Sequence, residues 1–370
     1  MNKESVIIIN YTGRKGGGAL DAFETAKALV ECGQKVIPII SNQIENLDMW
    51  KKVKFEKIVT IDTYNSKLSF ALNTMLFPFK QKKQIRNALH TYDIKAVYCP
   101  MSSFWTVPIN KIFKDSRIIT VNHDPISHSG ASRFAVWLME RPFKSSDVII
   151  VHSKKFVEYT EKKYGRTEYI PLCQHNLYRN INNKKTIISY NPNKINFLFF
   201  GRIANYKGLD VLEKAYRKLS AEFDDSITLN VVGNGDFSTY KEQYRDLKNV
   251  TIINRWISDE EVESAFVGEN IVCVCPYKDA TQSGVVLLAY DYGVPVIASN
   301  TGGLDEQVIN DQTGILIPPN NVDALYCAMK EFILNDKKIK EMQIHIADFL
   351  KNISWEVAAK KIVEITDEVK

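Results

Sequence analysis

Thirteen short apolar runs, separated by helical patterns, constrain the fold of this chain more than any other feature. Seven of them lie in the first half, from SVIIIN at Ser5 to EYIPL at Glu168. Six more follow in the second half, from NFLFFG at Asn196 to GILIPP at Gly314. Nearly continuous apolar runs bounded by polar loops are typical of parallel strands that helices cover on both faces. The pattern predicts an α/β protein with two doubly wound parallel sheets.

The length and the polar stretch between the two series predict two domains. A chain of 370 residues is too long for one ordinary core and suits two. We expect a first domain over residues 1–173, a linker rich in Asn and Lys over 174–194, and a second domain over 195–352. We expect the terminal helix, residues 353–370, to pack back on the first domain.

Cysteine usage and hydropathy favour a cytoplasmic protein without a metal site. The six cysteines are scattered and lack the paired spacing of zinc or redox motifs. No segment approaches the roughly 20 apolar residues that a membrane span needs, and the N-terminal apolar run is too short for a signal sequence. We therefore expect reduced core thiols and no bound metal.

Charge is distributed unevenly along the chain. Residues 1–185 carry 29 Lys and Arg against 16 Asp and Glu, a net of +13, whereas the remainder carries 19 against 27, a net of −8. A basic half suggests an anionic partner, although lysine-rich helices that only keep the domain soluble would give the same count. No basic stripe interleaved with stacking aromatics is present, so we predict no nucleic-acid partner.

The stretch FFGRIANYKGLDVL, from Phe199, is the strongest candidate for a ligand site. An apolar strand runs into Gly201, a loop carries Arg202 and Lys207, and a helix begins near Leu209. Two cations at the carboxyl end of a parallel strand, together with free amides at a helix start, can neutralise a diphosphate without a metal ion. The alternative is a surface loop with ordinary solvated cations.

Other loops after predicted strands have the composition of ligand loops. KGGGAL places three glycines before a helix, and glycines allow a ligand to approach the backbone closely. VVGNGDF is a second strand followed by a tight glycine turn, and NRWISDEE ends a third strand beside a capping box. In ATQSGVVLLAYDYG, a polar turn opens a helix whose first amides can contact phosphate.

TVNHDPISHSG, from Thr120, places two histidines and an aspartate just beyond a buried strand. His123, Asp124 and His128 are candidates for catalysis or sugar binding, and His152, at the end of the next strand, is a weaker one. Structural histidines are the alternative. Nothing nearby supplies further metal ligands.

Taken together, these segments resemble the retaining, nucleotide-sugar-dependent glycosyltransferases of family 4. Their GT-B fold has two facing Rossmann-like domains. The resemblance rests on the segments KGGGAL, NHDPISH, FFGRIANYKGLDVL and VVGNGDF, and on the block ATQSGVVLLAYDYGVPVIASNTGGLDEQV with TGILIPP. The resemblance implies that Arg202 and Lys207 stabilise the departing nucleotide diphosphate. It also implies that the loop from Ala280 to Gly284 contacts the donor sugar and phosphate. From the residue pattern, we predict His123 and Asp124 as catalytic residues, and His128 and His152 as acceptor or sugar contacts.

The loop motifs and the resemblance together predict the residues that bind the nucleotide-sugar donor, with no cofactor or metal required. These residues are Gly17, Gly18, Gly201, Gly233, Asn234, Gly235, Trp256, Ile257, Thr281, Gln282, Ser283 and Gly284. The sequence departs from the family where many members carry two glutamates, because Ala280 and Leu288 stand at those positions. Asp279, Gln282 and Ser283 are possible substitutes for the missing carboxylates.

MLFPFKQKKQIRNAL, from Met75, combines aromatic and basic residues as a membrane-contacting segment does. A core-packed loop followed by a solvated helix is the alternative. The residues that we predict to lie on an anionic membrane are Phe77, Phe79, Lys80, Lys82, Lys83 and Arg86. This would place the protein peripherally at the inner face of the cell membrane.

The sequence therefore predicts a hexosyltransferase that extends a glycan, lipid-linked at the time of transfer, in cell-surface polysaccharide biosynthesis of the capsule or O-antigen type. The alternative function is a non-catalytic GT-B subunit that binds a glycan or a partner protein.

Overall fold

The computed structural model describes residues 3–126, 133–174, 178–179, 181, 183–335 and 337–368, with the side chains of 133–135 left aside. The chain divides into two compact units. The first comprises residues 1–173 and 354–370, and the second comprises residues 174–353. Each unit contains one parallel β-sheet. Within the described ranges, no helix is both long and apolar enough to cross a membrane.

The first unit contains a seven-stranded sheet in the order β3-β2-β1-β4-β5-β6-β7. Its strands are β1 (Glu4–Tyr11), β2 (Val36–Ser41), β3 (Val59–Ile61), β4 (Tyr92–Cys99), β5 (Arg117–Val121), β6 (Val148–Val151) and β7 (Thr167–Tyr169). Its helices are α1 (Gly17–Glu31), α2 (Leu47–Lys52), α3 (Lys67–Leu76), α4 (Gln81–Leu89), α5 (Thr106–Asn110), α6 (Arg133–Glu140), α7 (Val157–Tyr164) and the last helix of the chain, α15 (Trp355–Asp367).

The second unit contains a six-stranded sheet in the order β10-β9-β8-β11-β12-β13. Its strands are β8 (Ile195–Phe200), β9 (Ile227–Gly233), β10 (Val250–Asn254), β11 (Ile271–Cys275), β12 (Val296–Ser299) and β13 (Gly314–Ile317). Its helices are α8 (Leu209–Phe223), α9 (Lys241–Tyr244), α10 (Asp259–Val262), α11 (Gly284–Asp291), α12 (Leu304–Gln307), α13 (Val322–Leu334) and α14 (Lys338–Lys351).

Each of the thirteen apolar runs forms one strand, and the central strands are buried on both faces. Every residue of β2, β5, β6, β11 and β12 is buried. Side chains alternate between the two faces of a strand, so helices must cover both faces of such a sheet. The α/β prediction with two parallel sheets is confirmed.

The strand order reverses direction beside the first strand of each unit. β1 lies between β2 and β4, and β8 lies between β9 and β11. In open α/β sheets, ligands bind outside the carboxyl ends of the strands where the order reverses. We therefore expect ligand sites at the loops after β1, β4 and β5 in the first unit, and after β8, β9 and β11 in the second.

The terminal helix α15 belongs to the first unit, where it packs against α1. Ser354 caps it, because its side chain accepts a hydrogen bond from the Val357 amide at 3.3 Å. Its buried face includes Ala358, Ile362 and Ile365. This apolar face explains why the end of the chain returns to the first sheet rather than remaining beside α14.

The described part of the stretch 174–194 lies within the second unit. The Tyr190 hydroxyl donates a hydrogen bond to the Ala265 carbonyl at 2.5 Å, and the Lys185 amide donates to the Glu260 carbonyl at 2.9 Å. The polar segment that the sequence predicts as a linker is therefore hydrogen-bonded to the second unit and leads into β8.

Phe77 is a correction to the predicted membrane surface. Its side chain is only 6% exposed and belongs to the apolar core formed with β1, β2 and α4. Phe79, two residues later, is 77% exposed. The turn between α3 and α4 points the first ring inward and the second outward, and only the second can contact a surface.

Candidate functional site

The loop after β8 and the loop after β11 are packed backbone against backbone. Gly208 has φ +72°, and a Cβ atom there would lie 1.9 Å from the Pro276 carbonyl oxygen. The Lys278 amide donates a hydrogen bond to the Tyr206 carbonyl at 2.7 Å. A glycine is required at 208 both by its left-handed backbone and by this close approach.

The loop after β9 approaches the loop after β8 in the same way. A Cβ atom on Gly233, with φ +152°, would lie 1.7 Å from the Gly201 carbonyl oxygen. The Ile203 amide donates a hydrogen bond to the Asn234 carbonyl at 2.9 Å, and Ile203 forms a parallel bridge with Gly235. The predicted donor residues Gly201, Gly233, Asn234 and Gly235 therefore lie together at the carboxyl edge of this sheet.

Arg202 and Lys207 lie in this loop, as the sequence predicts. Arg202 is exposed and makes no ion pair within the described ranges. Lys207 is half-buried, and its Nζ atom lies 3.6 Å from the centroid of the Tyr277 ring. Nearby, Lys278 forms an ion pair with Asp210 at 2.8 Å, at the start of α8. The edge thus presents two cations, one free of carboxylates and one held over an aromatic face.

The start of α11 is held by a glutamine from α12. The Gln307 side chain accepts a hydrogen bond from the Ser283 amide at 2.8 Å and donates one to the Ser283 carbonyl at 3.2 Å. The Tyr277 hydroxyl lies 3.2 Å from Ser283 Oγ. These contacts fix the residue that precedes Gly284, so the first turn of α11 begins at a defined place.

The loop after β12 completes this edge. A Cβ atom on Gly302 would lie 1.8 Å from the Ala280 carbonyl oxygen, and the Gly303 amide donates a hydrogen bond to the Thr281 carbonyl at 2.9 Å. The predicted donor residues Thr281 and Ser283 are buried, Gln282 is half-buried and Gly284 is exposed. The loops after four adjacent strands are therefore in contact in series: the loop after β9 packs on that after β8, which packs on that after β11, which packs on that after β12.

Trp256 and Ile257 follow β10 at the outer side of the same edge. Trp256 is 51% exposed, whereas Ile257 is buried. Next to them, the Ser258 amide donates a hydrogen bond to the Glu261 carboxylate at 3.0 Å in a capping box. Arg255 binds the same carboxylate, and this hydrogen bond lowers the pKa of Glu261 to about 2. About half of the Trp256 side chain is thus accessible to solvent at this edge.

The two positions that correspond to the glutamates of many family 4 enzymes are apolar and buried. Ala280 is 4% exposed and Leu288 is 7% exposed. Asp279 is exposed beside Ala280. Among the predicted substitutes Asp279, Gln282 and Ser283, only Asp279 has a carboxylate.

In the first unit, the loops after β1 and β4 meet at the carboxyl edge. Thr12 Oγ1 is hydrogen-bonded to Ser103 Oγ. Gly17 and Gly18 open α1 as predicted, and Gly16 precedes them with φ +78°. Gly17 is exposed, and a Cβ atom there would meet no other atom within 4 Å. Gly18 is buried against Met101, which follows β4.

His123 and His152 are neighbours at this edge, with ring centroids 4.8 Å apart. His123 Nε2 lies 2.7 Å from the Pro100 carbonyl oxygen and 3.8 Å from Asp21 Oδ2. Burial raises the pKa of Asp21 to about 6, and the nearby His123 offsets part of this rise. The sequence places His123 and His152 near each other, but Asp21 is a further titratable group that α1 adds to the cluster.

His152 is held as a neutral ring. Its Nδ1 atom lies 2.8 Å from the Ile170 carbonyl oxygen, and its Nε2 atom is buried without a hydrogen-bond partner in the described part of the chain. Burial, with His123 next to it, lowers the pKa of His152 to about 3. His123 is 18% exposed, so a ligand can reach it.

Asp124 is exposed and lines a cavity of about 310 Å³ together with His123, Ser102 and Met139. His128 lies outside the described residues. Sequence reasoning missed Asp21, Tyr277 and Gln307 as parts of these edges. The sequence offers only weak indications of two of these residues. Asp21 is an acidic residue near the start of α1, which follows the glycine run, and Tyr277 lies just after the end of a strand.

Among the described residues, no group of three or more His, Cys, Asp or Glu side chains could hold a metal ion. The six cysteines are free thiols, and Cys273 and Cys275 are both buried within β11.

Solved structures share this architecture over almost the whole chain. Sucrose-phosphate synthase from Thermosynechococcus elongatus is 18% identical with a TM-score of 0.73, and the match covers 98% of both chains. Anabaena HepE in complex with UDP and glucose is 15% identical with a TM-score of 0.71, covering 99% of this chain and all of that one. The chain has a GT-B fold. Its two parallel-sheet units are those of that fold.

Comparison by sequence concerns mainly the second unit of this GT-B protein. Residues 180–347 match the family model described as Glycosyl transferases group 1. An uncharacterized glycosyltransferase of Methanocaldococcus jannaschii is 27% identical over 61% of this chain and 60% of that protein. These matches support the resemblance drawn from the loop motifs.

Two further relatives match over a smaller share of this chain. A GDP-mannose-dependent alpha-(1-6)-phosphatidylinositol monomannoside mannosyltransferase of Mycolicibacterium smegmatis is 27% identical over 44% of this chain and 45% of its own length. An uncharacterized 41.2 kDa protein in the cps region of Klebsiella pneumoniae is 31% identical over 34% of this chain and 33% of its own. The chain spans three fifths or less of the length of these curated relatives.

Proposed function

We propose that this protein is a retaining glycosyltransferase of family 4 that transfers a hexose from a nucleotide-diphosphate sugar to a glycan acceptor. The observation that carries the proposal is the edge of the second unit, where the loop that carries Arg202 and Lys207 packs against the loop that leads into α11. The match of this unit to group 1 glycosyl transferases and the named glycosyltransferase relatives support the enzyme class. Structural neighbours in complex with UDP and UDP-glucose support a nucleotide-sugar donor.

In the proposed reaction, the bond between the anomeric carbon and the diphosphate oxygen breaks through an oxocarbenium-like state. The acceptor hydroxyl oxygen bonds to that carbon on the same face, and its proton passes to a phosphate oxygen of the leaving group. The leaving diphosphate gains negative charge as the bond breaks. Arg202, Lys207 and the free amides of α11 would oppose that charge, which lowers the barrier and requires no metal ion.

The remaining predicted residues take supporting roles in this proposal. Gly201, Gly233, Asn234 and Gly235 allow the nucleotide to approach the backbone, and the exposed Trp256 offers a ring face to the base. Thr281 to Gly284 would contact the phosphates and the sugar. His123 and Asp124 would contact the sugar or the acceptor, because both are polar, accessible and follow a strand end at the edge of the first unit.

We further propose that the acceptor is lipid-linked and that the protein works at the inner face of the cell membrane, in synthesis of a capsule or O-antigen type polysaccharide. The exposed apolar side chains of α3, with Phe79 and nearby cations, support a membrane-contacting surface. A relative from the cps region of Klebsiella pneumoniae and one that acts on a phosphatidylinositol mannoside support such an acceptor.

The direct test is transfer assayed with a panel of UDP- and GDP-sugars and a panel of lipid-linked and soluble glycan acceptors. We expect transfer with one donor, retention of anomeric configuration by NMR, and activity that persists in EDTA. Absence of both donor binding and turnover across the panel would overturn the proposal. Inversion at the anomeric carbon would overturn the mechanism but not the enzyme class.

One observation favours a second candidate, a non-catalytic GT-B subunit that binds a glycan or a partner. Ala280 and Leu288 replace the carboxylates that many family 4 enzymes use, and both are buried. Calorimetry with UDP and GDP separates the two candidates. An enzyme should bind one diphosphate tightly, and Arg202→Ala should weaken that binding, whereas a subunit without a donor site should bind neither.

A further inference from the structure

The first unit contains a cavity that is larger than the one lined by His123 and Asp124, and none of the roles proposed above involves it. Its volume is about 610 Å³, within the range of small-molecule sites. Most of its lining is apolar and comes from the α3–α4 turn, α5 and α6. The apolar lining residues are Phe77, Pro78, Phe104, Val107, Pro108, Leu138, Met139 and Pro142.

Three cations stand around this apolar groove: Lys82, Lys111 and Arg141. No acidic side chain lines it among the described residues. Lys111 and Arg141 are exposed and Lys82 is half-buried, and none of the three makes an ion pair within the described ranges. A hydrocarbon surface bordered by three uncompensated positive charges complements a molecule that is apolar along its length and strongly anionic at one end.

The groove adjoins both the predicted reacting edge and the predicted membrane surface. Ser102 and Met139 line it and also line the cavity that contains His123 and Asp124. Ser102 Oγ is buried there without a hydrogen-bond partner in the described part of the chain. At the other side, Phe77 and Pro78 of the groove belong to the turn that exposes Phe79, and Lys82 lies in the first turn of α4.

We propose that this groove binds the lipid carrier of the acceptor: a hydrocarbon chain lies along the apolar wall, and the diphosphate that joins it to the sugar binds Lys82, Lys111 and Arg141. The inference rests on the proposed function, since it names the acceptor of that reaction. A diphosphate diester carries two negative charges, which three cations match better than they match a single phosphodiester. The chain enters from the side of Phe79, and the sugar extends toward Ser102 and His123.

Farnesyl diphosphate is a soluble probe of this chemistry. Its binding to the full-length protein is measured by calorimetry in saturating UDP, so that the nucleotide site is occupied. Farnesol and inorganic diphosphate are measured in parallel. We expect farnesyl diphosphate to bind at least tenfold more tightly than either fragment, because only the intact molecule uses both the apolar wall and the cations.

Charge-reversed variants locate the site. Lys111→Glu and Arg141→Glu change exposed side chains, so they leave the core intact, and each should weaken farnesyl diphosphate binding at least tenfold. Lys54→Glu is the matched control, because it makes the same change in net charge at an exposed lysine of the same unit away from the groove. Its affinity should stay within twofold of the unaltered protein. Leu138→Asp, which places a charge in the apolar wall, should weaken farnesyl diphosphate binding as well.

Three results would overturn the inference: equal binding by all variants, binding of inorganic diphosphate as tight as that of farnesyl diphosphate, or complete displacement of the probe by UDP. UDP binding and sugar transfer, measured on the same preparations, separate the two proposals. Transfer without farnesyl diphosphate binding refutes the groove alone. Farnesyl diphosphate binding without nucleotide binding supports the groove and refutes the proposed function.

Discussion

Lys207 lies over the face of Tyr277, with its Nζ atom 3.6 Å from the ring centroid. The ring is fully buried at the end of β11, and its hydroxyl lies 3.2 Å from Ser283 Oγ. A cation over the face of an aromatic ring is attracted by the negative charge density of that face, which holds the Lys207 ammonium at this edge of the sheet. This contact links the proposed diphosphate-binding cation to the residue that precedes α11.

Removing either cation should slow turnover. If Arg202 and Lys207 oppose the charge that develops on the leaving diphosphate, Arg202→Ala and Lys207→Ala should each raise the barrier by roughly 2 kcal/mol or more, about 30-fold in kcat. Steady-state kinetics with the preferred donor measures this. Lys214→Ala, at an exposed position of α8, is the matched control and should keep the original rate. Unchanged rates in both site variants would refute the assignment.

Gln307 should behave as a positioning residue. Gln307→Leu leaves the Ser283 amide and carbonyl buried without partners, which costs about 2–4 kcal/mol of unfolding free energy. Gln307→Glu retains an acceptor for the amide but loses the donor for the carbonyl, so we expect a smaller loss. Urea unfolding gives the stabilities, and calorimetry gives the donor affinity, which should fall in the same order. A leucine variant as stable as the original would contradict this role.

Gly208 should not tolerate a side chain. Gly208→Ala would place Cβ against the Pro276 carbonyl oxygen in a left-handed backbone, and we expect a loss of at least about 2 kcal/mol in unfolding free energy. Gly284→Ala is the control in the same unit, because a Cβ atom there meets nothing within 4 Å. Thermal and urea unfolding of the two variants should differ clearly. Similar stabilities would show that the two loops can separate without cost.

Stability should fall in acid through His152. The pKa of His152 is about 3 in the folded protein, below the ordinary value of 6.5, so folding favours the neutral ring. The unfolded chain therefore binds a proton that the folded protein does not, and the free energy of unfolding decreases as the pH falls below 6.5. Between pH 7.5 and pH 5 the loss amounts to about 2 kcal/mol. His152→Gln should lack this part of the acid sensitivity, whereas His345→Gln, at an exposed position, should retain it. Identical pH profiles for all three proteins would refute burial of a neutral His152.

The exposed apolar surface of α3 should contribute to vesicle binding. Leu68, Leu72, Met75 and Phe79 are each more than half exposed. Phe79→Ser and Leu72→Ser should each weaken binding to phosphatidylglycerol vesicles several-fold in a flotation assay, because less apolar surface enters the interface. Leu334→Ser, an exposed leucine of the second unit, is the control. Equal flotation of all variants would remove this surface from the proposal.

The basic patch on α4 is more structured than its composition suggests. Lys80 forms an ion pair with Asp62 at 2.9 Å, whereas Lys83 and Arg86 are exposed without an ion pair in the described ranges. Phe77 is buried because the turn after α3 directs it to the core. Hydropathy cannot distinguish two phenylalanines separated by one proline, since both belong to the same apolar pattern. Their different positions depend on how α3 and α4 pack on the sheet.

The sequence by itself determined the strands and the loops that carry ligand chemistry. A run such as IVCVC is short, rich in β-branched residues and has no polar position to face water, which predicts a strand buried on both faces, and each glycine-rich turn follows one of these runs. The order of the strands and the contacts between their loops came from tertiary structure alone. Gln307 reaches Ser283 from 24 residues away, and α1 brings Asp21 to 3.8 Å from His123. Such contacts depend on which strands are neighbours and on how the helices cross them, and local sequence patterns carry no information about either.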